Sequence, residues 1–92
     1  MPDIEPIIDF VFTEHALMEM ERRGISQEQV RNMLAHPGQM EILREGRAVY
    51  QTKYDTGNPS KTYVLRVFVD VDRKPPAIVT VYRTSKIEKY WR

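Results

Sequence analysis

The chain has 92 residues, no cysteine and a formal net charge of +1. This length predicts one domain, and 41% hydrophobic with 29% charged residues is typical of a soluble globular chain rather than a disordered one. The lack of cysteine excludes disulfide bonds and thiolate catalysis. No apolar run approaches the roughly 18 residues that span a bilayer, and the acidic residues 1–9 argue against a targeting peptide. We therefore expect a single cytoplasmic domain over residues 1–92, with no membrane segment.

The charges are unevenly distributed along the chain. Residues 1–21 contain six acidic residues and no Lys or Arg. Residues 22–92 therefore carry all 14 basic residues against the seven remaining acids, a balance of +7. A basic surface on this later part could attract phosphate groups. The ordinary alternative is that Lys and Arg simply keep strands and loops solvated.

The first nine residues predict an extended lead-in. Proline at positions 2 and 6 disfavours a helix in this stretch. Four apolar residues are then expected to lay the lead-in against the core: Ile4, Ile7, Ile8 and Phe10.

Two short helices are predicted next. Thr13 is a typical N-cap for a helix that runs to about Arg23, and Gly24 is suited to end it. Ser26 is the predicted N-cap of a second helix. The sequence His36-Pro37-Gly38 ends that helix, because a residue before proline avoids the helical region.

The rest of the chain predicts strands with short connections. Runs of β-favouring residues between turn signals indicate strands at 41–43, 48–54, 62–70 and 77–82. The strand at 62–70 is apolar on both faces, which is typical of a central strand. Residues 85–91 fit either a short terminal helix or a tail. Two helices followed by consecutive strands predict an α+β fold, with both helices packed on a curved four-stranded antiparallel sheet.

Two charged residues of the first helix are candidates for a site. On a helical wheel His15 and Arg23 share one border of the apolar arc, roughly 12 Å apart along the axis. Both side chains would point obliquely towards the neighbouring sheet. Alternatively, His15 pairs with Glu19 one turn later, and Arg23 lies over the helix C-terminus, where a cation is favourable.

Polar residues interrupt two predicted core strands. Thr80 and Tyr82 fall on one strand face together with Ile78 and Thr84, and buried hydroxyls need hydrogen-bond partners. Arg66 interrupts the central strand, where an unpaired guanidinium is costly to bury. We expect Arg66 to meet an acid or an open face that phosphate can reach. The alternative is a stem that packs flat with its charged head in solvent.

The last ten residues combine basic and aromatic side chains. Such a segment can bind phosphate and stack bases. Equally, Ile87, Tyr90 and Trp91 have the i, i+3, i+4 spacing of a docking face, and docking is the interpretation we favour. No metal-ligand spacing, glycine-rich phosphate loop or hydrolase serine motif is present, so neither a metal nor a cofactor is predicted.

Two blocks of the sequence resemble a known bacterial family. The first runs from Phe12 to Ser26 and contains Thr-Glu-His-Ala and Arg-Gly-Ile-Ser; the second, Val79 to Lys86, reads Val-Thr-Val-Tyr-Arg-Thr-Ser-Lys. Together they resemble a family of short domains of unknown function. That family is grouped with RelE-like and BrnT-like toxins, in the wider set of barnase-like and colicin-like ribonuclease folds. The resemblance extends over about residues 10–90.

The resemblance implies a metal-independent endoribonuclease of the toxin–antitoxin type, in which a ribose 2′-OH attacks the adjacent phosphate. Histidine is suited to proton transfer in this reaction and arginine to stabilising phosphoryl charge. The implied catalytic residues are His15, Arg23, Thr80 and Tyr82. The implied substrate-binding residues are Arg66, Arg83 and Lys86.

RNA and a cognate antitoxin protein are the partners that this activity implies, and the need for a 2′-OH would leave DNA uncleaved. The chain lacks the dense Lys and Arg of ribosome-dependent RelE toxins, which argues against ribosome dependence. Two alternatives stay open. One is a non-catalytic module that binds a protein or nucleic acid through the same surface, and the other is an interaction domain that forms a homodimer through an exposed sheet edge.

Overall fold

The computed structural model describes residues 4–92, so Met1–Asp3 of the predicted lead-in lie outside the described residues. Within this part the helices are α1 (Glu14–Arg23), α2 (Gln27–Ala35) and α3 (Ile87–Tyr90). The strands are β1 (Val11–Phe12), β2 (Gln39–Arg44), β3 (Arg47–Thr56), β4 (Lys61–Asp70) and β5 (Ala77–Thr84). None of the helices among residues 4–92 is long and apolar enough to cross a membrane.

The strands form one sheet in the order β1-β5-β4-β3-β2. Strands β2 to β5 are antiparallel neighbours, with β4 in the centre as predicted. The predicted count of four strands is wrong, because β1 adds a fifth strand parallel to the start of β5. Val11 N donates to Pro76 O at 2.9 Å and Thr13 N donates to Ile78 O at 3.0 Å. A two-residue strand is too short to show any periodicity in the sequence.

Both predicted N-terminal helices are present, with the predicted caps. Thr13 Oγ1 accepts a hydrogen bond from the backbone N of Ala16 at 3.2 Å, and Ser26 Oγ accepts from the backbone N of Gln29 at 3.0 Å. Gly24 has φ of +69°, the left-handed conformation that favours glycine at a helix end. These local signals fix where α1 begins and ends and where α2 begins.

One face of the sheet, called the helix face, is covered by α1 and α2. The buried core lies between these helices and the sheet. Met20, Val30 and Leu34 of the helices pack against five sheet residues: Leu65, Val67, Val69, Ile78 and Val81. The lead-in joins this core through Ile4, Ile7 and Phe10. Ile8 does not, because it is 71% exposed, and its predicted core position is wrong. Neighbouring residues of an extended segment point to opposite sides, so Ile7 and Ile8 cannot both face inward.

The other face of the sheet, called the tail face, is covered by α3 and Trp91. Val49 and Val64 are fully buried there although they lie outside the core under the helices. Trp91 packs so closely on Gly38 that a Cβ at that glycine would come within 2.8 Å of the indole. The segment predicted as either helix or tail therefore begins as a short helix and docks on the sheet.

A β-bulge shifts the pattern of β5. Val69 pairs with Ile78 whereas Phe68 pairs with Thr80, so Val79 is an extra residue between the two pairs. Ile78 consequently lies in the core of the helix face, while Thr80 and Tyr82 lie on the tail face. The prediction that Ile78 shares a face with Thr80 and Tyr82 is wrong for this reason.

Candidate functional site

Arg66 lies at the centre of the tail face and is only 9% exposed. Strand register places it between Gln51 on β3 and Tyr82 on β5. Its Nε donates to Gln51 Oε1 at 3.1 Å, and its Nη1 donates to the Tyr82 hydroxyl at 2.5 Å. Among the described residues no carboxylate lies within ion-pair distance of Arg66. The guanidinium is thus buried with neutral partners.

Aromatic rings surround the same guanidinium. The Arg66 Cζ atom lies 4.3 Å from the ring centroid of Tyr90, 5.3 Å from that of Phe68 and 5.7 Å from that of Tyr82. Cation–π attraction of this kind is strongest where water is excluded. The structure therefore differs from every environment expected for Arg66, because its head meets neither an acid, nor an open face, nor solvent.

A row of hydrogen bonds holds the tail segment, residues 85–92, over Arg66 and the aromatic rings around it. Gln51 Nε2 donates to Gln39 Oε1 at 2.7 Å and to the backbone oxygen of Tyr90 at 2.8 Å. Gln39 Nε2 in turn donates to the backbone oxygen of Arg92 at 2.5 Å. Gln51 therefore connects Arg66 with the chain that covers it.

Arg23, the last residue of α1, extends its side chain to the ring of Tyr82. Its Nη1 donates to the backbone oxygen of Val81 at 3.0 Å, and its Nη2 pairs with Glu19 Oε2 at 3.0 Å. Its Cζ lies 5.8 Å from the ring centroid of Tyr82. Because β1 pairs only with Ala77 and Ile78, no strand of residues 4–92 covers the outer edge of β5 beside Val81. Arg23 takes that place rather than lying over the helix C-terminus.

The tyrosines of the cluster are linked electrostatically. The pKa of Tyr90 lies below its ordinary value, chiefly because the Tyr82 hydroxyl hydrogen-bonds to it, and the positive charges of Lys89 and Arg66 add to this effect. Tyr82 also stacks on Phe68, with ring centroids 5.8 Å apart. Tyr82 is thus the residue that the other members of the cluster share. We call Arg23, Arg66, Tyr82 and Tyr90 the Tyr82 cluster.

Two of the implied catalytic residues, Thr80 and His15, take no part in the side-chain hydrogen bonds described for the cluster. Thr80 is on the tail face of β5, opposite Phe68 and two residues before Tyr82. His15 is exposed on α1, and its side chain forms no hydrogen bond with another described residue. Glu19 pairs with Arg22 and Arg23 rather than with His15. About two helical turns separate His15 from Arg23, roughly 12 Å.

The other two implied substrate-binding residues lie elsewhere. Arg83 points to the helix face, where its Nη1 donates to the Tyr54 hydroxyl at 3.4 Å. Lys86 is exposed immediately before α3, and its backbone N donates to Thr84 Oγ1 at 3.1 Å. The structure thus brings together Arg23, Arg66 and Tyr82, three of the seven residues singled out in the sequence.

Sequence reasoning missed Gln51 and the position of Tyr90. Gln51 carries a weak signal, since a lone amide between Tyr50 and Thr52 in a strand needs a hydrogen-bond partner. That its partner is Arg66 depends on the register of β3 against β4, which no local pattern gives.

The fold and the Tyr82 cluster define a small α+β domain that carries cationic and aromatic side chains on one face of its sheet. The family model described as "Domain of unknown function (DUF4258)" matches residues 12–83, which is most of the chain. The chain belongs to this family. The match includes Arg23, Arg66 and Tyr82 but ends before the tail segment. Comparison with curated proteins and with solved structures found no match.

Proposed function

We propose that the chain is a metal-independent endoribonuclease whose chemistry is centred on Tyr82. The observation that carries this proposal is the hydrogen bond from Arg66 Nη1 to the Tyr82 hydroxyl, with the Arg23 guanidinium beside the same ring. The hydroxyl oxygen accepts from Arg66 and its proton is directed to Tyr90, so the leaving oxygen of RNA takes the place of Tyr90 when it receives that proton. Two guanidinium groups lie beside this side chain, where cations can stabilise the negative charge that develops during the reaction. Tyr82 is therefore suited to protonate the leaving 5′-oxygen of RNA.

Arg23 supplies the cation that the reaction needs at the phosphate. It is partly exposed, and its Nη2 is held by Glu19, an acid whose place a phosphate oxygen can take. His15, on the same border of α1, is the imidazole suited to remove the 2′-OH proton. An RNA strand lying along the outer edge of β5 would meet Arg23 and Tyr82 together.

Kinship with RelE-like or BrnT-like toxins, and with it an antitoxin partner, belongs to the same proposal. It is supported by the two sequence blocks and by the order of two helices followed by an antiparallel sheet. The corresponding observation in cells is growth arrest when the chain is expressed alone. Growth arrest is expected to be lost in the same variants that lose RNA cleavage.

The experiment measures cleavage of a labelled RNA by the purified protein in the presence of EDTA. Tyr82→Phe and Arg23→Ala are each expected to lower the rate by about 10²-fold or more, and His15→Ala tests the assigned base. Matched controls are Tyr63→Phe, on the helix face, and Arg22→Ala, next to Arg23. Products ending in 2′,3′-cyclic phosphate, and no cleavage where the 2′-OH is replaced by hydrogen, identify the reaction.

Equal cleavage by all variants would assign the activity to a contaminant and reject the proposal. A second candidate is a non-catalytic binding module, favoured by the Tyr90 ring that covers Arg66 at 4.3 Å. RNA binding without cleavage or growth arrest would establish that candidate instead.

A further inference from the structure

A cavity of about 270 Å³ opens on the helix face of the sheet. It lies between α2 and the part of the sheet that contains Thr52 and Tyr54 of β3 and Leu65 of β4. One side of α2 forms its first wall, because residues spaced i, i+3, i+4 and i+7 lie on one side of a helix. These residues are Gln29, Asn32, Met33 and His36. None of the residues in this wall belongs to the Tyr82 cluster.

The sheet forms the opposite wall of the cavity. Thr52 and Tyr54 alternate with outward residues of β3 and therefore face α2 together, and Leu65 of β4 pairs directly with Thr52. Met33 and Leu65 are almost fully buried. The cavity therefore has an apolar floor beneath polar and aromatic walls.

The polar groups around this floor are available to a ligand. The side chains of Gln29, Asn32 and His36 form no hydrogen bond with any other residue of the described part. Each amide offers both donors and an acceptor, and an imidazole offers one of each when neutral. An aliphatic ligand would cover these groups without satisfying them, which is unfavourable.

A cation lies at the mouth of the cavity. Arg83 is the cross-strand neighbour of Leu65, and its Nη1 donates to the Tyr54 hydroxyl. Its Cζ lies 5.2 Å from the ring centroid of Tyr63, and the rings of Tyr54 and Tyr63 are 6.0 Å apart. Arg83 is therefore fixed beside a pair of aromatic rings and is exposed towards solvent, where it can receive an anion.

We propose that this cavity binds one nucleobase of a nucleotide and that Arg83 binds the attached phosphate. A nucleobase has apolar faces and polar edges, which match the apolar floor, the Tyr54 ring and the two amides. The volume is just below the roughly 300–1,000 Å³ of pockets for drug-sized ligands, and so suits a single base rather than a dinucleotide.

The nucleotide site is separate from the Tyr82 cluster. Arg83 and Tyr82 are consecutive on β5 and therefore point to opposite faces of the sheet. Binding of a mononucleotide needs no cleavage, so the site stands or falls independently of the proposed ribonuclease function.

The test is an NMR titration of the full chain with AMP, GMP, CMP and UMP, with the four nucleosides, and with ribose 5-phosphate. At least one nucleotide is expected to bind, with signals of Asn32, His36 and Tyr54 among those that shift. Asn32→Ala is expected to weaken binding about tenfold or more, as loss of a paired amide does. Arg83→Ala should weaken binding of the nucleotide but leave binding of the matching nucleoside unchanged.

Glu28→Ala, on the exposed side of α2, is the matched control and should bind like the parent chain. Ribose 5-phosphate binding as tightly as the nucleotides would reject base recognition, and shifts confined to the tail face would reject the site. If no nucleotide or nucleoside binds while RNA is still cleaved, the cavity assignment is wrong and the ribonuclease proposal stands. If a nucleotide binds in the cavity but RNA is not cleaved, the cavity assignment stands and the ribonuclease proposal is wrong.

Discussion

A buried arginine that pairs with no acid of the described part is the central feature at the level of single residues. Removing an unpaired guanidinium from water costs several kcal/mol. Arg66 offsets this through hydrogen bonds to Gln51 and Tyr82 and through the Tyr90 ring on which it stacks. Each cation–π contact contributes about 0.5–2 kcal/mol, the upper value where water is excluded. The charge is therefore retained in the folded chain, and it acts on the two tyrosine hydroxyls around it.

The surroundings of Tyr90 predict how its hydroxyl titrates. The pKa of Tyr90 is lowered from its ordinary 10.0, first by the hydrogen bond from Tyr82 and then by Lys89 and Arg66. Tyr90 should consequently lose its proton at a lower pH than an ordinary tyrosine does. Tyr82→Phe removes the largest cause and should move the pKa of Tyr90 back towards 10.0. NMR signals of the tyrosine rings, followed against pH, measure both values.

Tyr50 provides the internal control for that titration. Its pKa is raised, chiefly by burial on the helix face and also by the negative charge of Glu5. Tyr50 should therefore titrate above 10.0 in both proteins, unaffected by Tyr82→Phe. A Tyr90 that titrates at its ordinary pH in the parent chain, or that ignores the substitution, would contradict the described hydrogen bond.

Among the elements, α3 depends most on its surroundings. Four residues are far too few for a helix that is stable by itself in water. The element is held by the Gln51 side chain, which donates to the Tyr90 backbone, and by Trp91, whose ring carries the Lys53 ammonium 4.7 Å from its centroid. Its stability therefore comes from the tail face rather than from its own sequence.

Gly38 is expected to control how Trp91 docks. A Cβ at this position would lie 2.8 Å from the Trp91 ring and 3.1 Å from the backbone oxygen of Gln51. Gly38→Ala should therefore push the indole away from the sheet. Trp91 is the only tryptophan of the chain, so its fluorescence reports this directly. We expect emission at longer wavelength and stronger quenching by iodide, because the ring becomes more exposed.

Gly24→Ala is the contrasting substitution. A Cβ there meets nothing within 4 Å, but the φ of +69° is strained for alanine by about 1–2 kcal/mol. It should lower the free energy of unfolding while leaving the emission of the folded chain unchanged. Unchanged fluorescence in Gly38→Ala would show that Trp91 does not pack on this glycine.

At the level of the whole molecule, the sequence predicted what local chemistry decides. Thr13, Gly24 and Ser26 marked the ends of the helices because capping is a local property. The apolar pattern of residues 62–70 likewise identified the central strand. The strand β1 was missed because it exists only through its pairing with β5, and the face of Ile78 was wrong because a bulge changes the alternation.

In the candidate site, too, the sequence indicated the individual residues but not how they contact one another. Arg66, Tyr82 and Arg23 were recognisable one by one, as polar residues at borders or interiors of apolar elements. Their meeting depends on strand register and on an uncovered strand edge, which are properties of the assembled sheet. Coverage of Arg66 by Tyr90 joins residues 24 positions apart, beyond the reach of any local pattern.

Part of the stability that the whole fold loses in acid should come from the ion pair between Arg47 and Asp70. It joins paired residues of β3 and β4, with Nε and Oδ1 2.6 Å apart. The pKa of Asp70 is lowered from 3.8, first by the hydrogen bond from Arg47, which keeps the carboxylate ionised. The contribution is therefore fully present above pH 3.8 and is lost as the pH falls through the lower, folded-state value.

Asp70→Asn should then reduce the free energy of unfolding at pH 7 by about 0.2–1 kcal/mol, the range for partly exposed ion pairs. The difference from the parent chain should shrink as the pH is lowered from 7 to 2, because Asp70 takes up a proton first in the unfolded and then in the folded state. Urea unfolding at both pH values measures it. Asp72→Asn is the matched control, because Asp72 acts on Arg47 only through a weaker Coulomb attraction. If both variants show the same pH dependence, the effect comes from net charge and the assignment to this ion pair is wrong.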